Sequence, residues 1–254
     1  MSKLEFISDD KLKCSVEFLL LKSYEALKSI EVNPEIIFKN VVDPFSAIFE
    51  ASGFSLSNDE WINNEKSRQA QKTLQNHVGT FHQKILGSVP GWLDLCTGNG
   101  CDIVSEDRKI IAEIKNKYNT VSGGKLNGVY EELEELVMLK SSKYKDYTAY
   151  YVQIIPEKPK PFDKPFTPSD KSKGNKKQEN PLIRVIDGRS FYSLVTGVND
   201  ALDKLFNVIP EVIYEIKNPY TRNSLESEFF NSLFERAYFQ KEKLRKNGRS
   251  RGDD

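Results

Sequence analysis

Apolar positions in the first ninety residues recur at steps of three and four, the period of helices with one buried face. Leu12, Val16, Leu19, Leu20 and Leu27 mark one such helix, and a second runs from about Phe45 to Ser52. The clearest begins near Ser57, where Ser57 and Glu60 have the spacing of a capping box. Ala70, Leu74, His77, Val78, Phe81 and Ile85 share its apolar face, and Pro90-Gly91 close the region. The period then shortens. Cys101-Asp102-Ile103-Val104, a polar Ser105-Glu106-Asp107-Arg108 and an isoleucine-rich Lys109 to Lys115 read as a β-hairpin. A glycine-containing loop at 121–124 leads into a helix around Val129, Leu133, Leu136 and Val137, and Thr148 to Ile155 is a strand stopped by Pro156. Ile183 to Ile186 reads as a strand, followed by a helix from Ser190 to Phe206. A further strand is expected from Glu211 to Lys217 and an amphipathic helix from Leu225 to Lys246. Helices first, then β-β-α-β-β-α, predict an α/β fold: a mixed β-sheet flanked by helices, with a helical N-terminal region.

A chain of 254 residues is long enough for one large domain with its own core. The expected organisation is a helical region at 1–90 packed on a core at 91–240, with a basic tail at 241–254. The balance of 37 basic against 37 acidic side chains argues against a histone-like protein or a polybasic membrane binder. It leaves room for an enzyme of nucleic acids, which needs only a local basic surface. One such surface is in view. Residues 156–181 hold six of the eleven prolines, and residues 157–177 carry seven lysines against three acids, so this stretch reads as a long, mobile surface loop, either an arm that embraces DNA or merely a soluble loop. No apolar run approaches a membrane span, and the acidic start lacks the apolar stretch of a signal peptide. Three scattered cysteines make no disulfide framework, so the expectation is a soluble cytoplasmic protein with no membrane partner.

The chemistry concentrates in the hairpin. Glu113 and Lys115 are two apart, so on a strand they project from one face. A reversal centred on Asp107 and Arg108 sets Asp102 opposite Glu113, with Cβ atoms about 5 Å apart. Two carboxylates so placed repel each other, and a hard divalent ion such as Mg²⁺ relieves that repulsion. A lysine beside them can orient a water and stabilise extra negative charge on a phosphorus centre. These residues point to metal-assisted phosphodiester hydrolysis. The plain alternative is a solvated ion pair, since Glu-x-Lys is common in so charged a chain. Glu215-Ile216-Lys217-Asn218 repeats Glu113-Ile114-Lys115-Asn116, but Asp203 upstream of it falls in an expected helix, so no hairpin completes the second copy.

The segment from about Thr73 to Met138 resembles type II restriction endonucleases of the PD-(D/E)xK nuclease superfamily. The likeness rests on Gly98-Asn99-Gly100-Cys101-Asp102 followed by Ala112-Glu113-Ile114-Lys115-Asn116-Lys117. Within that superfamily it looks most like the group cutting GGNCC or GGWCC. Cys101 stands where the superfamily often has proline, a position dispensable for the chemistry. The resemblance implies that Asp102 and Glu113 bind Mg²⁺ and that Lys115 assists catalysis. It further implies hydrolysis of both strands of double-stranded DNA to 5′-phosphate and 3′-hydroxyl ends, in a prokaryotic cell. A palindromic target implies a homodimer, and a cognate methyltransferase acts on the same site to protect host DNA.

Further contacts to DNA are expected from the loop leaving the site, through Asn116, Lys117, Asn119, Thr120, Ser122 and Lys125, and from Arg184 and Arg189 as readers of guanine. His82 and Gln83, on the long helix, are candidates for a supporting role, whereas His77 belongs to the apolar stripe. Two other readings compete. Leu93-Asp94-Leu95-Cys96-Thr97-Gly98-Asn99-Gly100 looks like the first motif of S-adenosylmethionine-dependent DNA methyltransferases, with Asn218-Pro219-Tyr220 a faint second. That motif has to open a helix, and here the glycines lead into an expected hairpin. The other is a non-catalytic DNA-binding protein that retains a nuclease-like fold.

Overall fold

The computed structural model describes residues 2–32, 42–96, 100–170, 174–216 and 227–239. The N-terminal helices are α1 (Asp9–Val32), α2 (Pro44–Gly53) and α3 (Asn58–Gly87). The Ser57–Glu60 capping box forms: the Ser57 N–H donates to Glu60 at 2.8 Å, and the Glu60 N–H donates to Ser57 Oγ at 3.3 Å. The mixed sheet takes the order β1-β2-β3-β4-β8-β5, where β5 is the short edge strand Asp163–Pro165. Its first three strands, β1 (Leu93–Asp94), β2 (Ile103–Ser105) and β3 (Ile110–Lys117), run antiparallel, and β4 (Thr148–Ile155) and β8 (Ile183–Asp187) continue parallel to β3. Helix α4 (Leu126–Met138) makes the crossover from β3 to β4. After the sheet come α5 (Gly188–Thr196), α6 (Ala201–Glu215) and α7 (Ser227–Tyr238).

Strand alternation assigns the two sheet faces to two cores. Ile103, Ala112, Ile114, Tyr150, Val152 and Ile154 pack against α1, α3, α5 and α6. Val104, Ile111, Ala149, Tyr151, Ile183 and Val185 pack against α4. The N-terminal helices therefore share the sheet's larger core, with Leu12, Val16, Phe81, Ile85 and Leu86 all buried in it. Two close approaches depend on glycine. A Cβ on Gly188 would lie 2.3 Å from the Ile154 carbonyl oxygen, and one on Gly87 2.6 Å from the Cβ of Asp94.

Three sequence expectations change. The helix expected from Ser190 to Phe206 is two helices, α5 ending at Gly197 in the left-handed region (φ 75°) and α6 starting at Ala201. Of the strand expected at 211–217, residues 211–215 are the end of α6, and Lys217 lies outside the described residues. Pro210 removes one hydrogen bond, but the stripe Leu202, Leu205, Ile209, Val212, Ile213 keeps helical spacing and packs on the core, which outweighs the proline. Residues 156–181 are not a free loop. Parallel neighbours need a long return connection, and this segment supplies it between β4 and β8. It carries an edge strand β5 (Asp163–Pro165) on β8 and a small ribbon of β6 (Ser169–Asp170) and β7 (Asn175–Lys176). Phe166 anchors it, buried and stacked on Tyr151 at 4.9 Å between ring centres, and Lys177 pairs with Glu131 of α4 at 3.0 Å. Lys171 and Lys173, the basic tail at 241–254 and the end of the 225–246 helix lie outside the described residues.

Candidate active site

The register of the hairpin decides where the chemistry sits. Ile103 pairs with Ala112, Val104 with Ile111 and Ser105 with Ile110. The paired register ends at Ile103, and Asp102 follows close enough for its charge to act on the Glu113 carboxyl. The turn Glu106–Lys109 is closed by the Lys109 N–H donating to the Glu106 carbonyl at 3.1 Å, with Lys109 left-handed at φ 51°. Arg108 in that turn donates to the carbonyl of Leu194 at 2.7 Å, tying the hairpin to the end of α5.

At Asp102 the regular ladder stops. Its N–H still donates to the Ala112 carbonyl at 2.9 Å, but its carboxylate replaces the next carbonyl and Oδ2 accepts the Ile114 N–H at 2.6 Å. Glu113 and Lys115 emerge on the α4 face, joined by an ion pair. Burial drives the Glu113 carboxyl above its ordinary range, and the charge of Asp102 adds to this against the opposing pull of Lys115. Asp102 is likewise raised by burial, against the Ile114 hydrogen bond and Lys115, with Asp94 adding repulsion. Burial works to lower Lys115, but Glu113 and Asp102 override it and hold the ammonium charged above its usual range. Two half-desolvated carboxylates thus face one ammonium, leaving one negative charge uncompensated. Hard oxygen donors with a surplus negative charge suit a divalent cation of the Mg²⁺ type. Among the described residues no third His, Cys, Asp or Glu completes a closed cage.

Several neighbours escaped the sequence reading. Asp94 on β1 accepts from Gln83 Nε2 at 2.8 Å and from the Cys96 N–H at 2.9 Å. Gln83 also reaches the Asp102 carbonyl at 3.3 Å, so α3 holds the carboxylate of Asp94 and the backbone of Asp102. Tyr151 and Gln153 on β4 lie beside Glu113 and Lys115 in the parallel register. Burial, then the charge of Glu113, pushes the Tyr151 phenol up to about 12. No local sequence pattern marks these residues, because they arrive through pairing with distant strands.

Other candidates go elsewhere. Asn116 alternates to the opposite face from Glu113 and Lys115 and lines an apolar cavity with His82 and Ile155. His82 is bonded through Nδ1 to the Tyr192 hydroxyl at 2.8 Å and is pulled down to about 4 by burial, which makes it a neutral anchor between α3 and α5. His77 packs edge-on against Phe18. Lys117 lies on the Glu113 face, and Asn119, Thr120, Ser122 and Lys125 are exposed on the loop that follows. The Thr120 hydroxyl accepts the Lys117 N–H at 3.1 Å. The two expected guanine readers are engaged already, Arg184 with Asp163 at 2.7 Å and Arg189 with Asp203 at 3.1 Å. In the repeated tetrapeptide, Glu215 ends α6 and pairs with Lys3 at 2.7 Å, while Lys217 and Asn218 lie outside the described residues.

The methyltransferase reading does not fit this geometry. Leu93–Asp94 is an antiparallel partner of β2, and the chain after Gly100 enters the hairpin where that motif requires a helix. Thr97, Gly98 and Asn99, and the Asn218-Pro219-Tyr220 of its second motif, lie outside the described residues.

A mixed sheet with a paired carboxylate and lysine on a central strand is the arrangement of the nuclease class that the sequence resembles. A family model described as Eco47II restriction endonuclease matches residues 4–218. The chain is 54% identical over 213 residues to the type II restriction enzyme Eco47II of Escherichia coli, covering 84% of this chain and 87% of that enzyme. It is 31% identical over 238 residues to the type II restriction enzyme Sau96I of Staphylococcus aureus, covering 92% and 89% respectively. The chain belongs to the Eco47II restriction endonuclease family and is a type II restriction enzyme, a site-specific deoxyribonuclease.

Proposed function

We propose that Asp102, Glu113 and Lys115 form the catalytic centre of a Mg²⁺-dependent hydrolase of double-stranded DNA. The observation that carries this reading is the hairpin that brings the Asp102 charge to bear on Glu113, with Lys115 paired to Glu113 on the same face. Asp102 and Glu113 would hold the cation, which when bound supplies charge neutralisation and Lewis acidity at the scissile phosphate. Asp102 Oδ2 is fixed by the Ile114 N–H, so the carboxylate is oriented before any ligand arrives. In the metal-free protein Lys115 is held charged by its two acidic neighbours and offers a donor and a positive charge. Its Nζ orients the attacking water and stabilises the charge that develops on phosphorus. Gln83 acts through the Asp102 backbone as a positioning residue.

By family resemblance the target is GGNCC or GGWCC, cut to 5′-phosphate ends by a two-fold dimer that offers one centre to each strand. Lys117, Asn119, Thr120, Ser122 and Lys125 border the site and contact the DNA backbone or bases. The helical 1–90 region serves as support for the 91–240 nuclease core. In the cytoplasm of a prokaryotic cell, a cognate methyltransferase acts on the same sequence to protect host DNA.

The test is digestion of unmethylated phage DNA by the wild type and by Lys115→Ala and Asp102→Ala, each with Mg²⁺ and with EDTA. Discrete fragments are expected only from the wild type with Mg²⁺, and sequencing their ends gives the target. Undiminished cutting in EDTA, or by either variant, overturns the assignment.

A further inference from the structure

Asp94 stands beside the proposed centre, and its hydrogen bonds tie it to the backbone of Asp102. Gln83 and Gly87 are four apart on α3, so both face β1. A Cβ on Gly87 would lie 2.6 Å from the Asp94 Cβ and 2.7 Å from its backbone nitrogen, so a glycine is what lets the helix come this close to the strand. From there Gln83 Nε2 donates to Asp94 Oδ1 at 2.8 Å and to the Asp102 carbonyl at 3.3 Å, one amide bridging the two residues. The same Oδ1 accepts the Cys96 N–H at 2.9 Å, and the Leu95 N–H donates to the Asp102 carbonyl at 2.9 Å. We infer that Asp94 is a positioning residue for the metal site. Its carboxylate sets the Gln83 amide and the chain at Cys96, and through them the backbone from which the Asp102 side chain projects. This inference rests on the reading of Asp102 as a metal ligand.

A neutral acceptor could satisfy the same two donors, so the choice of a carboxylate needs a reason. It adds a negative charge that bears on Asp102. What it offers in return is strength, since hydrogen bonds to a charged acceptor are about twice as strong as neutral ones. The strain nearby calls for that strength. Cys96 is left-handed at φ 58°, a region unfavourable for a side-chain-bearing residue, and its N–H is the one that Asp94 holds. Asp102 is thereby fixed at two points, its carbonyl by Gln83 and Leu95 and its carboxylate by the Ile114 N–H at 2.6 Å. Asp94 is assigned no place on the cation itself, because among the described residues no group of three His, Cys, Asp or Glu is gathered closely enough to hold one. Loss of Asp94 leaves the Asp102 carboxylate in place but its backbone free to shift. Supporting bonds of this kind are worth about 10–100-fold in metal affinity or activity.

The test is Mn²⁺ binding to the full chain, read from the electron paramagnetic resonance signal of the free ion, beside plasmid cleavage across a Mg²⁺ series. Asp94→Ala is expected to weaken Mn²⁺ binding by at least about tenfold. The Mg²⁺ midpoint of cleavage should rise by a similar factor, with most of the rate recovered at saturating Mg²⁺. Asp94→Asn keeps an oxygen acceptor and should bring Mn²⁺ binding back to within about threefold of the wild type. Gln83→Leu breaks the same link from the helix side, so the double variant Gln83→Leu/Asp94→Ala should lose less than the product of the two single losses. A role in folding alone would lower the melting temperature in EDTA and leave the Mn²⁺ affinity of the folded protein unchanged, which overturns the inference. Losses that multiply fully overturn it too, as does an Asp94→Asn as weak as Asp94→Ala. Should Asp94→Ala not fold, Gln83→Leu decides, and wild-type Mn²⁺ binding in that variant overturns the inference. Asp102→Ala separates this inference from the reading beneath it. If Asp102→Ala abolishes binding and Asp94→Ala does not weaken it, the positioning role alone fails. If Asp102→Ala also binds Mn²⁺ like the wild type, the metal-ligand reading fails with it.

Discussion

Replacing Glu113 by glutamine keeps the size of the side chain and removes its charge, and the structure gives the sign of two separate effects. In the metal-free protein the carboxylate is a net liability. Burial and Asp102 both disfavour its charged form, and together they outweigh Lys115. For two unit charges at a generic cross-strand spacing of about 5 Å and an effective dielectric of about 20, the repulsion is about 3 kcal/mol. The lost attraction to Lys115 offsets most of this, so the net gain in stability for E113Q is on the order of 1 kcal/mol. For a chain of this size that is about 2–4 °C in melting temperature. Cleavage should move the other way. Removing a metal-binding carboxylate withdraws several kcal/mol of transition-state stabilisation, and each ~1.36 kcal/mol is tenfold in rate. A loss of at least about a hundredfold is expected. The assays are a thermal melt in EDTA at neutral pH and a timed plasmid digestion in Mg²⁺. A variant that melts more than about 2 °C lower would show the carboxylate to be a structural group and refute the electrostatic reasoning. A variant that melts higher and still cuts would refute its place in the active site.

Acid should weaken the fold through His82. Its native value of about 4 lies below the ordinary 6.5, so the unfolded chain takes up the proton first and stability falls as pH drops from about 6.5 to 4. The loss is at most about 3 kcal/mol, and urea titrations across that range should show it reduced in His82→Gln. Glu215→Ala removes an exposed ion-pair partner of Lys3, and should change stability by no more than about 1 kcal/mol while leaving digestion rates unchanged. A large loss of cleavage there would shift the active site to the second tetrapeptide. Gly188→Ala forces a methyl group against the Ile154 carbonyl and should lower stability by about 2 kcal/mol or more, read as a reduced denaturation midpoint at unchanged slope.

The site was legible in the sequence to the extent that it is local. Hairpin arithmetic depends only on where the turn falls, so Asp102, Glu113 and Lys115 could be brought together from spacing alone, and the register Ile103↔Ala112 bears the arithmetic out. The rejection of Glu215 rested on Asp203 lying in a helix, and α6 does contain it. What went unread depends on contacts far along the chain. Arg184 and Arg189 look available until Asp163 and Asp203 are folded next to them. The lysine-rich segment looks unanchored because the ring that receives Phe166 is Tyr151, on another strand. The end of α6 resembles a strand because its β-branched residues favour one locally while Pro210 argues against a helix, and burial against the core decides otherwise. Asp94 was hidden inside a string that read as a cofactor loop, and only its bonds to Gln83 and Cys96 place it beside Asp102.

The position of β3 within the sheet has a consequence for motion. It is third of six strands, hydrogen-bonded on one edge to β2 and on the other to β4. Freeing any of its amides requires parting the sheet between two cores, which takes nearly the full unfolding free energy. The Ile114 N–H, held by the Asp102 carboxylate, should therefore be among the last in the chain to exchange with deuterated solvent, whereas the exposed amides at 119–125 exchange early. Adjustment to the duplex accordingly falls to the loops that leave the strand, and the proposed reacting groups stay in the part of the molecule least able to move.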